Sequence, residues 1–78
     1  MRRRRINPEH RDLKEVGRRI RWIRRVRGFN SAMLGKAAGV TGPQICKIER
    51  GGHCRLATLL RIARVLKVSP VVLTLSAA

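Results

Sequence analysis

Acidic residues are scarce in this chain. Only Glu9, Asp12, Glu15 and Glu49 stand against 19 lysines and arginines in 78 residues, a formal net charge of +15. Three of the four crowd at the start of the first expected helix, where they suit the helix dipole. There they lack the burial that tunes an acid or base for proton transfer. No nucleophile–base constellation and no phosphate-cradling glycine loop takes their place, so no enzyme and no cofactor is expected. Aromatics are nearly missing too: one Trp, one Phe and no Tyr. That argues against a reader of single strands, which stacks bases on aromatic platforms. No apolar run approaches the roughly 20 residues of a membrane span. The basic start is not followed by the apolar core of a secretory signal. The expected location is the cytoplasm, at the nucleoid, with both cysteines as reduced thiols. Two cysteines also make no disulfide framework. Cys46, His53 and Cys54 are spaced Cys-x6-His-Cys, which is not zinc-finger spacing, and the fourth ligand would be the distant His10, so no metal is expected.

What the chain has in excess is positive charge. Such an excess repels itself in a compact monomer and favours a polyanionic partner. An apolar content of 44% supports one small domain with one core. A core of that size is marginal without tight helix packing or a partner subunit. Residues 1–11 read as a basic N-terminal arm, disordered when free, whose Arg2, Arg3, Arg4 and Arg5 track phosphates or enter a minor groove. Residues 12–78 read as the folded domain.

The stretch from Asn30 to Gly51 organises that domain. Leu34, Ala37 and Ala38 recur at helical spacing, with Ser31 as a cap for the first turn. Gly39 comes next as a left-handed stop. Thr41 offers a hydroxyl cap for a second helix, and Pro43 falls in its first turn, where a missing N–H costs nothing. Ile45 and Ile48 form one apolar stripe before Gly51. Gly35 and Gly39 are small enough for the two helices to approach closely. Two short helices joined by such a turn are the pattern of a helix-turn-helix, whose second helix enters the DNA major groove.

Around this unit, Asn7-Pro8-Glu9 suits the cap of a short early helix, and Asp12 and Glu15 form a better capping box for a first helix, with Leu13, Val16, Ile20, Ile23 and Val26 as its inner stripe. Its other face carries Arg18, Arg19, Arg21 and Arg25. Trp22 at the stripe's edge is expected in the core, Gly28 as the stop and Phe29 as a plug. A fourth helix, residues 56–67, turns Leu56, Leu59, Leu60, Ala63 and Leu66 inward. Ser69 and Pro70 then open a last segment, Val71 to Leu75, whose composition suits a short helix or a strand. Its apolar character makes residues 68–76 a candidate dimer interface.

The chain resembles the lambda repressor/Cro-like (XRE) helix-turn-helix domains. Val16–Arg21 with Arg24–Phe29 look like that family's first helix. Leu34–Thr41 and Ile45–Gly51 look like its helices two and three, and Leu56–Ala63 with Leu66–Ser69 like helix four and the start of helix five. The resemblance spans roughly residues 13–75 and implies an all-α, compact five-helix domain. It implies base contacts from Gly42, Pro43, Gln44 and Lys47. Gly42 and Pro43 lack hydrogen-bonding side chains, so readout falls on Gln44, suited to adenine, and Lys47, suited to guanine. Asn30 and Ser31 at the start of helix two, with Thr41, Arg50 and Arg55, are expected at phosphates. Lys36 and Arg27 are read as solvated. Glu49 is expected to pair with Arg24. The implied function is a transcriptional regulator, a repressor above all, acting as a homodimer on double-stranded DNA. Readings from other classes are an antitoxin-like autoregulator that also binds a toxin, contact with RNA polymerase, and a non-specific cationic nucleoid or membrane-surface binder.

Overall fold

Five helices in sequence order account for the elements of the computed structural model, which describes the backbone of residues 8–74 and side chains from Leu13 onward. They are α1 (Pro8–Val26), α2 (Ser31–Ala38), α3 (Gly42–Glu49), α4 (Leu56–Leu66) and α5 (Pro70–Thr74). There is no strand among the described residues. Arg2 to Arg5 of the expected arm lie outside them, as do residues 75–78.

Helix α1 begins at Pro8, about a turn before the capping box expected at Asp12. Proline is suited to a first helical position, and no Gly or Pro between Glu9 and Val16 interrupts the helix. Glu15 is thus interior to the helix and serves it sideways. Its carboxylate meets Arg18 Nη1 at 3.2 Å and Arg19 Nε at 3.5 Å, one turn on.

The core is one cluster. Val16 and Ile20 of α1 meet Leu34 and Ala38 of α2, Ile45 and Ile48 of α3, Leu59, Ile62, Ala63 and Leu66 of α4, and Leu73 of α5. Phe29 is half-buried against it, as expected. Four residues expected to face the core lie outside it. Trp22 is 67% exposed, because two residues beyond the fully buried Ile20 turn it about 200° away from the core. Val26 is exposed at the helix end, past the last core contact. In α4 the buried line is Leu59, Ile62, Ala63 and Leu66, an i, i+3, i+4, i+7 set, which turns Leu60 outward, while Leu56 shares the phase of Ala63 but stands at the first position of the helix, before the core begins.

The last segment is helical. Val71 N donates to Ser69 Oγ at 3.2 Å, and Thr74 Oγ1 donates to Pro70 O at 3.1 Å. With no neighbouring strand to pair with, the β-branched residues have only the helix to close their backbone hydrogen bonds. Leu73 is fully buried and anchors α5 against α1 and α4.

Candidate nucleic-acid interface

The geometry of the two central helices is set by their caps. Asn30, not Ser31, caps α2: its Oδ1 accepts from Met33 N at 2.8 Å. Asn30 has the extended backbone that a cap needs, whereas Ser31 is already helical. Asn30→Ala is expected to lower stability by about 1 kcal/mol, read as a fall in the thermal midpoint. Gly39 closes α2 in the left-handed region, φ 80°, and Val40 N returns to Gly35 O at 2.8 Å. The close approach expected of Gly35 and Gly39 belongs to Gly35 alone. A Cβ there would lie 2.8 Å from both Thr41 C and Val40 O, while at Gly39 the nearest atom is 3.5 Å away.

Thr41 and Gln44 form a reciprocal capping box at the start of α3. Gln44 N donates to Thr41 Oγ1 at 3.2 Å, and Thr41 N donates to Gln44 Oε1 at 2.8 Å. The box has a chemical consequence for the outward side of α3. The Gln44 carbonyl oxygen is engaged by the backbone, which leaves its amide NH2 as the outward group.

Ile45 and Ile48 sink into the core, so α3 turns Pro43, Gln44 and Lys47 to the outside, all three outside the core. Gly42 is packed against Ala32 of α2: a Cβ there would meet Ala32 Cα at 3.3 Å. Between the start of α2 and the side of α3 runs an open hollow lined by Ser31, Ala32, Gly42, Pro43, Cys46, Lys47, Arg50, Gly51 and Gly52. Its floor is small and apolar, and its rim is basic. Cys46 Sγ donates to Ser31 Oγ across it at 3.4 Å, tying the two helices together. The structure therefore brings Gly42, Pro43, Lys47, Ser31 and Arg50 to one surface. Asn30, Thr41 and Gln44 do not line it, and their side-chain oxygens are already used in capping. Arg55 is exposed at the start of α4 and does not line the hollow.

Behind this surface, Glu49 and Arg24 form a two-pronged ion pair. Arg24 Nε lies 2.6 Å from Oε2 and Nη2 3.1 Å from Oε1. Arg24 Nη1 also donates to Phe29 O at 3.0 Å. Both side chains are nearly excluded from water, 11% and 6% exposed. The hydrogen bonds and charge of Glu49 outweigh burial and push the Arg24 guanidinium above its ordinary range. A raised pKa gives stability that is present below the ordinary value and lost only as pH rises through the shifted one, which here lies in strong alkali. The pair thus acts at every physiological pH.

Sequence reasoning missed Gly17. A Cβ on it would stand 2.5 Å from Ile48 O and 2.6 Å from Glu49 O. Helix α1 and the end of α3 touch backbone to backbone at that point. The available signal was a glycine inside the apolar phase of the first helix, next to Val16 and one turn before Ile20.

The candidate metal ligands do not assemble: among the described residues no group of three or more His, Cys, Asp or Glu is placed to hold an ion. Cys46 and Cys54 are free thiols, and burial pushes the Cys54 thiol above its usual range. No helix among the described residues is long and apolar enough to cross a membrane.

A capped two-helix unit whose second helix is propped from behind and open in front is the form of a helix-turn-helix. The chain belongs to the helix-turn-helix domain family, whose pattern matches residues 15–75. Its structure is similar to the crystal structure of C.AhdI, a restriction-modification controller protein from Aeromonas hydrophila. The TM-score is 0.77 at 28% identity, over 81% of this chain and 97% of that one. No curated protein matches the chain in sequence.

Proposed function

We propose that the chain is a sequence-specific transcriptional regulator that lays the outer side of α3 in the major groove of double-stranded DNA, most simply as a repressor that occludes a promoter. The observation that carries this reading is the exposed outer side of α3, capped at its front by Thr41 and Gln44 and braced at its back by Arg24 and Glu49. Lys47 supplies a charged donor suited to guanine O6 and N7. Gln44 with its carbonyl engaged can only donate, so it suits a purine N7, guanine O6 or thymine O4 rather than the two-way pairing with adenine that its residue type alone implies. Gly42 and Pro43 give close approach and an apolar touch for a thymine methyl. Ser31 and Arg50 flank the groove-facing side as phosphate contacts, with Asn30 and Thr41 at the cap positions, Arg55 further out, and Arg2 to Arg5 as an added electrostatic arm.

Two good base contacts discriminate by only about 1–3 kcal/mol each, so a second copy is part of the proposal. Val71 and Val72 of α5 are exposed, as are Leu56 and Leu60 of α4, which gives a dimer apolar surface to bury. Likeness to a controller protein supports a regulatory role, and nothing in the site supports catalysis.

Selection of bound sequences from random duplexes tests the reading. An enriched site made of two inverted half-sites is the expected result. A pool that stays random would reduce the protein to a non-specific polycation. Lys47→Ala should then weaken the selected site by about tenfold or more while changing random-duplex binding little. Equal losses on both would make Lys47 a phosphate contact only.

A further inference from the structure

Trp22 is the chain's single tryptophan and stands two-thirds exposed on the outer face of α1. The turns before and after it are filled by Arg18 and Arg19 on one side and Arg25 and Val26 on the other, at i−4, i−3, i+3 and i+4. Val26 is 62% exposed, so the two apolar side chains stand one turn apart as a pair. Among the described side chains the acidic residue of this face is Glu15, already held by Arg18 and Arg19. We propose that this face docks a protein partner that presents an apolar stripe edged by acidic side chains, with Trp22 as the anchor.

Three observations converge. A large aromatic left in water forfeits the burial that dominates interface energetics, and Trp ringed by Arg is the composition of interface hot spots. The face is separated from the candidate DNA surface: α1 meets α3 through Gly17, and Trp22 five residues later is turned about 140° from it. A duplex on α3 therefore leaves Trp22 uncovered. The charge selects the occupant. A second copy would set cationic face against cationic face. A lipid surface would receive only two apolar side chains, because the rest of the apolar side of α1 is in the core. Nucleic acid satisfies the arginines but gives Trp22 and Val26 little apolar surface to bury. An acidic protein surface with an apolar stripe satisfies both.

The probe is a synthetic amphipathic helical peptide of leucine and glutamate, titrated into the full chain at physiological salt. Saturable binding with a blue shift of Trp22 emission is expected. With the same peptide carrying a dye, Trp22→Ala should bind about tenfold more weakly or worse, and Arg18→Gln with Arg25→Gln should show a similar loss. Circular dichroism should show both variants folded, since all three side chains are exposed. Trp22→Ala should bind duplex DNA as the parent does, which separates failure of this proposal from failure of the DNA reading. The proposal is overturned by a peptide that leaves the emission unmoved, or by one bound equally by Trp22→Ala. It is equally overturned by a blue shift seen only with phosphatidylglycerol vesicles, only with oligo(dT), or only on raising the protein's own concentration. Each of those outcomes names the occupant that replaces the acidic protein.

Discussion

Glu49→Ala should destabilise the domain by about 3–5 kcal/mol, because it strands the Arg24 guanidinium at a site with little water. For a domain of this size, total stability lies near the lower end of roughly 5–15 kcal/mol. Chemical or thermal denaturation should therefore find the variant with at most about 2 kcal/mol of stability left. The mechanism makes a second, opposite expectation. Replacing both partners at once, Arg24→Met with Glu49→Leu, should recover most of the loss, since a nearly buried pair is weak as net stabilisation and costly only when half removed. If the double variant is as unstable as the single, the stranded charge is not the cause. The double change also gives up the Arg24 bond to the Phe29 carbonyl, so the recovery should stop short of the parent by about that one bond.

Gly17→Ala should also destabilise, against the ordinary rule. An alanine in mid-helix normally gains about 1 kcal/mol over glycine. Here the added methyl would fall within 2.8 Å of Glu49 C and closer still to two carbonyl oxygens of α3. Those are backbone atoms and cannot swing aside as a flexible side chain would. Overpacking of this kind costs about 1–3 kcal/mol, occasionally more. The upper end applies, so a net loss of about 2 kcal/mol is expected, or roughly a 10 °C fall in thermal midpoint. The displacement acts on α3 itself and bears on the Arg24–Glu49 geometry. Binding to a selected duplex should therefore fall even at temperatures where the variant is folded. A variant at or above parental stability would mean that α1 and α3 are further apart than the structure has them.

The two central helices and their turn were legible in the residues, because the signals that define them are local. A cap hydroxyl at Thr41, a proline in the first helical turn and a left-handed glycine at position 39 each act within a few residues of themselves. The resemblance to a known family pointed further, to the Arg24–Glu49 pair across 25 positions. The strand alternative for Val71 to Thr74 was settled by what surrounds them. No sheet exists among the described residues to pair with, and Leu73 has a core to enter as part of a helix.

The outer faces were not legible in the same way. Trp22 and Leu60 each look like core residues by type, and a helix with five or six apolar positions can be turned through more than one phase. Which phase wins depends on where the other helices put their own side chains. The same holds for the contact at Gly17, where the partner is a backbone 31 or 32 residues away that leaves no trace in the neighbouring sequence. By itself the sequence determined the helical elements, the turn between α2 and α3, and the strong positive charge, all properties of near neighbours or of plain composition. Only the tertiary structure decided which side of the end of α1 and of α4 meets water. Burial is a property shared by all five helices, and none of them can establish it alone.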